Sequence, residues 1–397
     1  MSNIDPVLPY GRQHVTDEDV AAVAEVLRSD WLTQGPQVEE FEAAIHAVCG
    51  APYVVAVNSA TSALHIACLA LGVGPGDLVW TVPISFVASA NCALYCGAEV
   101  DFVDVEADTA NIDPEALAEK LSQAERTGRL PKVLIPVLFT GRPHDQPRVK
   151  ALCDRYGVKI IEDASHAIGA RGPGGEPVGS CRWSDITIFS FHPVKIVTTG
   201  EGGAAATRDP ALAQRMAELR THGITKERGR LDDPAAGGWY HEQQGLGFNY
   251  RLTDIQAALG TSQMTRLEQY VVRRNELAER YDALLAAMPL TRPPIPSGNG
   301  VRSAWHLYVI GLDPAEDGAM RRIWYDGLRA RGIGVQVHYI PIHWQPYYRS
   351  LGFSRGMFPA AERFYEGALS IPMFAAMTRA EQDRVVAAIE DVAREGR

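Results

Sequence analysis

The spacing of apolar residues along the chain alternates between two periods. Short, nearly continuous apolar runs predict buried strands at 53–57, 78–81, 132–138, 158–161, 185–191 and 203–206. Apolar positions three or four residues apart predict helices at 38–48, 61–71, 85–95 and 147–156, and another helix that opens at Thr16. This alternation of strands and helices predicts an α/β fold with a mainly parallel sheet.

The pattern changes after residue 252. From there it predicts one long helix to about residue 287, and a loop at 289–300 rich in proline and glycine leads into a shorter α/β tail. We therefore predict a large domain at 1–251 and, at 252–397, a linking helix with a smaller C-terminal α/β domain.

Length and composition narrow the classes of function. A chain of 397 residues with 46% hydrophobic and 22% charged residues is typical of a globular protein of about two domains. Its net charge of -10 argues against a broad nucleic-acid-binding face. No apolar run approaches the ~18 residues of a membrane span, and no signal peptide is evident at the N-terminus. The six cysteines form no C-x-x-C motif, so we expect a cytoplasmic protein without a metal site.

The glycine-rich segments do not predict a classical nucleotide site. Residues 72–76 follow a helix rather than a strand, and residues 172–179 are typical of a surface turn. Hydroxyl residues at 59–62, where a helix leaves a strand, suit a phosphate, although an ordinary helix cap would have the same sequence. Glu162 and Asp163 end a buried strand, where α/β sheets bind ligands, unless they only cap the next segment; His166 could reach the same crevice.

One lysine is the least ordinary feature of the sequence. The chain has six lysines against 32 arginines, and Lys195 lies between an apolar strand and a glycine-rich turn. A lysine in an apolar setting has a lowered pKa and can form a Schiff base. Together with a phosphate seat and a carboxylate for a ring nitrogen, this lysine fits pyridoxal 5'-phosphate.

At these residues the sequence resembles the DegT-type sugar aminotransferase family of the aspartate-aminotransferase-like fold (fold type I). The resemblance runs through segments 29–36, 59–65, 83–91, 162–167, 190–195, 247–252 and 336–339, among them Ser-Phe-His-Pro-Val-Lys at 190–195. It implies that Lys195 bonds covalently to the cofactor, that Asp163 keeps the pyridine nitrogen protonated and that His166 lies near the phenolic oxygen. It also implies a homodimer in which each subunit lends Asn249 to the other.

The resemblance extends to the remaining site residues. The implied cofactor-binding residues are Ala60, Thr61, Ser62, Phe86, Asp163, His166, Ser190, Lys195 and Asn249. The implied substrate-binding residues are Tyr10, Trp31, Thr33, His192, Asn249, Gln336, His338 and Tyr339.

Within the family, the motifs are similar to those of the pseudaminic acid branch. This similarity implies that glutamate gives its amino group to C4 of a UDP-linked 4-keto-6-deoxy-N-acetylhexosamine. Ile196 and Gly200 depart from that branch. A GDP-perosamine synthase is the main alternative. A sugar dehydratase is disfavoured because those relatives have histidine in place of Lys195, and a regulatory paralogue would be expected to have lost Lys195 or Asp163.

Overall fold

The protein is described here by a computed structural model covering residues 7–313 and 318–395. The central sheet contains β1 (Tyr53–Val57), β2 (Leu78–Thr81), β3 (Glu99–Phe102), β4 (Val133–Ile135), β5 (Lys159–Asp163), β6 (Ile186–Ser190) and β7 (Gly203–Thr207). Their order is β1-β7-β6-β5-β4-β2-β3. Only β7 runs antiparallel to its neighbours in this sheet, which confirms the predicted mainly parallel α/β fold.

Helices cover the sheet and build the C-terminal part. They are α1 (Asp17–Arg28), α2 (Gln37–Cys49), α3 (Ala60–Ala70), α4 (Ala88–Tyr95), α5 (Pro114–Thr127), α6 (Gln146–Tyr156), α7 (Pro210–Arg220), α8 (Asp254–Met264), α9 (Leu267–Leu284), α10 (Ala319–Ala330), α11 (Pro346–Ser350), α12 (Pro359–Gly367) and α13 (Arg379–Glu395). Two small antiparallel pairs join β8 (Ile224–Thr225) to β9 (Glu242–Gln243) and β10 (Tyr308–Gly311) to β11 (Ala368–Ile371). None of the described helices has both the length and the apolar composition that crossing a membrane requires.

The single helix predicted from residue 252 to about 287 is wrong. The chain forms α8 and α9 instead, with a break at Thr265 and Arg266. No proline or glycine marks this break in the sequence. At the break, the Arg266 guanidinium pairs with the fully buried carboxylate of Asp19 on α1, at 2.5 Å between Nη2 and Oδ1. The break between α8 and α9 therefore coincides with a contact to α1, which is distant in sequence.

Three hydrophobic clusters form the core. Two of them involve the large sheet and its helices, and the third surrounds β10 and β11. Helix α9 joins them, because Val271 lies in a sheet cluster and Leu277 lies in the third cluster. The domain boundary at residue 252 remains a prediction.

Residues 342–361 return from the C-terminal part to the large sheet. The Ile342 N–H donates to the Pro83 carbonyl at 2.9 Å, and the Tyr348 hydroxyl donates to Asn91 Oδ1 at 2.6 Å. The Asp104 carboxylate accepts from the first N–H groups of α12. These contacts fasten the chain that follows residues 336–339, so those residues are held close to the carboxyl ends of the strands.

Candidate active site

Of the two acids that end β5, only Asp163 lies with the other candidate residues. Neighbouring residues on a strand point to opposite faces of the sheet. Glu162 Oε1 accepts a hydrogen bond from Gln146 Nε2 at 2.5 Å and lies 3.5 Å from His144 Nε2. Asp163 is buried and bonds to two serines. The structure therefore separates the two carboxylates.

Asp163 is held by a directed set of donors. Its Oδ1 accepts from the Ser165 N–H at 3.1 Å and the Ser165 hydroxyl at 2.6 Å, and its Oδ2 accepts from the Ser89 hydroxyl at 2.7 Å. Ser85 Oγ lies 2.7 Å from Ser89 Oγ. A hydroxyl has one hydrogen, so Ser89, which donates to Asp163, must accept from Ser85. Three donated hydrogen bonds therefore fix the orientation of the Asp163 side chain.

These serines were missed as site residues in the sequence. Ser85 and Ser89 lie within the family-like segment 83–91, and Ser165 lies within segment 162–167. The one available signal was the four-residue spacing of Ser85 and Ser89. That spacing does not reveal the distant carboxylate that the pair serves.

Lys195 has the electrostatics of a reactive amine. Burial of the amine lowers the pKa of Lys195 to about 8, while the Asp163 carboxylate acts in the opposite direction. The Lys195 backbone N–H donates to the His192 carbonyl at 2.9 Å, which closes a tight turn after β6. Near neutral pH, a useful fraction of this amine is therefore uncharged and nucleophilic.

Neutral imidazoles surround this amine. His166 Nε2 lies 3.3 Å from the Tyr339 hydroxyl, and its pKa is well below the ordinary value because of burial first, and then the charges of Lys195 and His338. Burial and Lys195 likewise lower the pKa of His338 to about 3. His338 Nδ1 lies 2.8 Å from the Ser370 hydroxyl. Both rings are therefore uncharged at neutral pH.

Aromatic rings form one wall of the crevice. The Phe86 ring is 60% exposed, and its centroid lies 6.4 Å from that of Tyr339. The Tyr10 ring lies 5.3 Å from that of His338. Burial, followed by Tyr10 and Asp163, raises the pKa of Tyr339, so its hydroxyl stays protonated. The structure thus brings together Asp163, His166 and four of the predicted ring-bearing residues.

The start of α3 forms an anion seat. Ser59 caps the helix by accepting from the Ser62 N–H at 3.1 Å, and the Ser62 hydroxyl donates to Asn58 Oδ1 at 2.7 Å. The N–H groups of Ala60 and Thr61 have no hydrogen-bond partner within residues 7–313 and 318–395. A helix N-terminus with free N–H groups attracts phosphate.

Gly203 keeps this seat open. A Cβ atom at Gly203 would lie 2.4 Å from the Ala60 nitrogen, so any larger residue would collide with the start of α3. Ser190 is the register partner of Gly203, which places the end of β6 beside the seat. Because Ser62 uses its hydroxyl within the cap, the backbone of α3 and the Thr61 hydroxyl are the better phosphate donors.

Five predicted residues stand apart from this group. Trp31, Thr33, His192, Asn249 and Gln336 have exposed side chains, and within the described chain none of these side chains forms a hydrogen bond or ring contact with the Lys195 side chain. Thr33 bridges to Thr253 at the start of α8, and Asn249 bridges to Thr221. Their assignments to cofactor or substrate remain predictions.

The assembled groups fit pyridoxal phosphate. The anion seat suits a phosphate, the Asp163 carboxylate suits a protonated ring nitrogen, and the Lys195 amine suits an aldehyde. The exposed Phe86 ring is free to stack on a planar ring.

Comparisons with known proteins agree with this fit. The model of the DegT/DnrJ/EryC1/StrS aminotransferase family matches residues 13–390. The spore coat polysaccharide biosynthesis protein SpsC of Bacillus subtilis (strain 168) is 37% identical over 387 residues, or 97% of each chain. Helicobacter pylori PseC, an aminotransferase involved in the biosynthesis of pseudoaminic acid, superposes with a TM-score of 0.89 at 31% identity, covering 98% of this chain and 100% of that one.

A further solved relative carries the cofactor. The PLP-form of the putative sugar aminotransferase Spr1654 from Streptococcus pneumoniae superposes with a TM-score of 0.87 at 28% identity, covering 98% of this chain and 99% of that chain. The predicted fold, family and cofactor are confirmed. The chain belongs to the DegT/DnrJ/EryC1/StrS aminotransferase family and is a pyridoxal-phosphate-dependent sugar aminotransferase.

Proposed function

We propose that this enzyme transfers the amino group of glutamate to C4 of a UDP-linked 4-keto-6-deoxy-N-acetylhexosamine. It would then be a UDP-4-amino-4,6-dideoxy-N-acetyl-β-L-altrosamine transaminase of pseudaminic acid (nonulosonic acid) biosynthesis. The observation that carries this choice is the full-length similarity to Helicobacter pylori PseC, at a TM-score of 0.89. The motif forms at 59–64, 83–88 and 190–195 support it.

The proposed chemistry depends on three side chains. Pyridoxal phosphate, when bound, supplies an electron sink for the carbon that loses or gains the amino group. Lys195 would hold the cofactor covalently, and its amine, when free, would move a proton to or from the substrate carbon as base and acid. Such proton transfer typically contributes ~100- to 10,000-fold in rate. The low pKa of Lys195, about 8, suits an amine that alternates between these roles.

Asp163 and His166 set the charge of the site. Asp163, held by its serine donors, would pair with the protonated ring nitrogen and keep it protonated. His166 stays neutral, so it adds no positive charge beside Lys195. It would hydrogen-bond to the phenolic oxygen of the bound cofactor.

Recognition of the sugar nucleotide falls to the edge of the crevice. A ketosugar has no carboxylate at its reacting carbon, so its diphosphate is expected to bind to arginine and backbone donors instead of an amino-acid clamp. Tyr10, His338 and Tyr339 would form the sugar side of the crevice. Trp31, Thr33, His192 and Gln336 lie further out with exposed side chains and would contact the nucleotide or the donor.

A homodimer would complete each site. The Asn249 side chain is exposed, and its two neighbours in sequence, Phe248 and Tyr250, stack on each other with ring centroids 4.9 Å apart. This surface would pack against a second copy, so that Asn249 of the partner subunit reaches the cofactor phosphate or the substrate. A cytoplasmic location agrees with the supply of both proposed substrates and remains a prediction.

Amination assays test the proposal directly. The enzyme is incubated with glutamate and either the UDP-linked ketosugar or the GDP-linked precursor of perosamine, and the aminosugar is quantified. Lys195→Ala serves as the inactive control. We expect faster turnover of the UDP-linked sugar; faster turnover of the GDP-linked sugar would overturn the substrate assignment. A wild-type protein that aminates neither sugar would overturn the proposed reaction.

A further inference from the structure

His306 is held against the candidate site by an unusual turn. Its N–H donates to the Thr140 carbonyl at 2.7 Å, and its carbonyl accepts from Arg274 Nη1 at 3.2 Å. Thr140 (φ 59°) and Trp305 (φ 47°) both adopt the left-handed backbone region. Such backbone conformations are strained and persist where the surroundings fix them, often at functional sites.

The backbone around His306 closes directly onto that of His166. A Cβ atom at Gly141 would lie 2.6 Å from the His166 carbonyl oxygen and 3.0 Å from the Trp305 nitrogen. Gly141 also has a φ of 91°, which a larger residue rarely adopts. Glycine is therefore required here so that the His306 turn can lie against His166.

The two imidazole rings are in contact. The His306 and His166 centroids lie 4.4 Å apart at 48°, and both side chains are nearly fully buried. Within the part of the chain that the structure describes, Nδ1 of each ring has no hydrogen-bond partner. His166 has one long hydrogen bond, to Tyr339 at 3.3 Å. With so few hydrogen bonds, the orientation of His166 depends mainly on packing against neighbouring rings, of which His306 is nearer than Phe139 at 6.0 Å and Tyr339 at 6.2 Å.

We propose that His306 is a positioning residue, whose ring packs against His166, fixes its orientation and keeps water away from it. The role rests on the proposed function, in which His166 lies beside the cofactor. His306 itself contacts neither substrate nor cofactor in this assignment and acts through His166.

The charges around the pair explain why exclusion of water matters. His166 faces Tyr339, Lys195, His338 and His306, and Arg274 lies behind His306. Burial is the largest cause of the lowered pKa of both His166 and His306. If water reached His166, its pKa would rise toward the ordinary value of about 6.5. The positive charge of the protonated His166 ring would then disfavour a proton on the nearby Lys195 amine. Proton transfer by Lys195 would be disturbed.

Three substitutions of His306 separate ring packing from other effects. His306→Ala and His306→Asn both remove the ring and admit water, whereas His306→Phe keeps a ring of similar size. His343→Ala is the control, since His343 is also a fully buried histidine with an unpartnered Nδ1, but it packs on Phe358 instead of His166. His306→Ala and His306→Asn, the two truncating variants, are measured in parallel. The test then still works if one of them fails to fold.

The first readout does not depend on catalysis. Histidine NMR resonances of the full chain without added cofactor are followed from about pH 5.5 to 8, with His166 assigned by its loss in His166→Gln. We expect no titration of His166 in the wild type, His306→Phe or His343→Ala. In the truncating variants we expect a midpoint that moves toward about 6.5. A non-titrating His166 in the truncating variants, or a titrating one in His306→Phe, would overturn the proposal.

The second readout uses the cofactor-loaded enzyme. The kcat of the truncating variants should acquire an acidic limb at the same midpoint, falling about tenfold per pH unit below it, and His306→Phe should lack that limb. If His166 titrates in a truncating variant but the kcat of that variant shows no acidic limb, the link between the charge of His166 and proton transfer would be overturned. If no ketosugar is aminated while the titration shifts as expected, the proposed function fails and the positioning of His166 by His306 stands.

Discussion

Replacing Ser89 with alanine tests the hydroxyl chain that holds Asp163. Ser89 supplies one of the three hydrogen bonds to this carboxylate, at 2.7 Å, and both Ser89 and Ser85 are nearly fully buried. A hydrogen bond to a charged group contributes about 1.5–3 kcal/mol. If that stabilisation is lost where the carboxylate pairs with the ring nitrogen, kcat falls about 10- to 150-fold. Ser85→Ala removes only a neutral hydrogen bond and should reduce kcat less than about tenfold.

A double-mutant cycle makes this prediction specific. Ser85 acts on Asp163 only through Ser89, so Ser85→Ala should have little further effect once Ser89 is alanine. The assay is kcat at saturating glutamate and ketosugar for the wild type, both single variants and the double variant, each loaded with cofactor. Additive losses of kcat, or a larger loss from Ser85→Ala than from Ser89→Ala, would refute the chain of hydrogen bonds that runs from Ser85 through Ser89 to Asp163.

Three further predictions concern the lysine, the anion seat and the C-terminal segment. Because burial lowers the pKa of Lys195 to about 8, cofactor attachment to the cofactor-free chain, followed by visible absorption, should rise with pH with a midpoint near that value. Asp163→Asn should lower the midpoint, since the carboxylate raises this pKa; an unchanged midpoint would contradict the pairing. Gly203→Ala should weaken pyridoxal phosphate binding at least about tenfold, or about 1.4 kcal/mol, in equilibrium titrations, and should leave unphosphorylated pyridoxal unaffected; equal weakening of both would argue against the seat. Asp104→Ala should lower the free energy of unfolding in urea by about 1 kcal/mol through loss of the hydrogen bonds to Ala360 and Ala361, with unchanged cofactor affinity.

The sheet was largely predictable because its strands are buried on both faces. Runs such as 53–57 and 78–81 are continuous and apolar, and they match β1 and β2 residue for residue. Strand β3 was not predicted, since Glu99 and Asp101 break its apolar run and place two polar side chains on its more exposed face. The break between α8 and α9 was also missed, since it has no local signal and coincides with the pairing of Arg266 with Asp19.

The candidate site also contains some residues that could be predicted from the sequence and some contacts that could not. Asp163 ends β5, His166 lies in the turn after it, and Lys195 lies in the turn after β6, so local sequence was enough to nominate them. His306 approaches His166 only because a distant turn at Thr140 and Gly141 receives it. The direction of the bond from Ser85 to Ser89 depends on the Asp163 carboxylate at the end of β5. Contacts of this kind depend on the folded chain and cannot be derived from spacing.

We expect Lys195 to support amino transfer from glutamate to a UDP-linked ketosugar, and the two half-reactions, followed separately, show whether it does. The cofactor-loaded enzyme is mixed with glutamate alone and then, after removal of glutamate, with the UDP-linked ketosugar, while visible absorption is recorded. We predict that glutamate removes the absorption band of the lysine-bound cofactor, that the UDP-linked ketosugar restores it with release of the aminosugar, and that Lys195→Ala shows neither change. The proposed amino transfer would be contradicted if glutamate removes the band and the UDP-linked ketosugar does not restore it. The role of Lys195 would be contradicted if the Lys195→Ala variant cycles like the wild type.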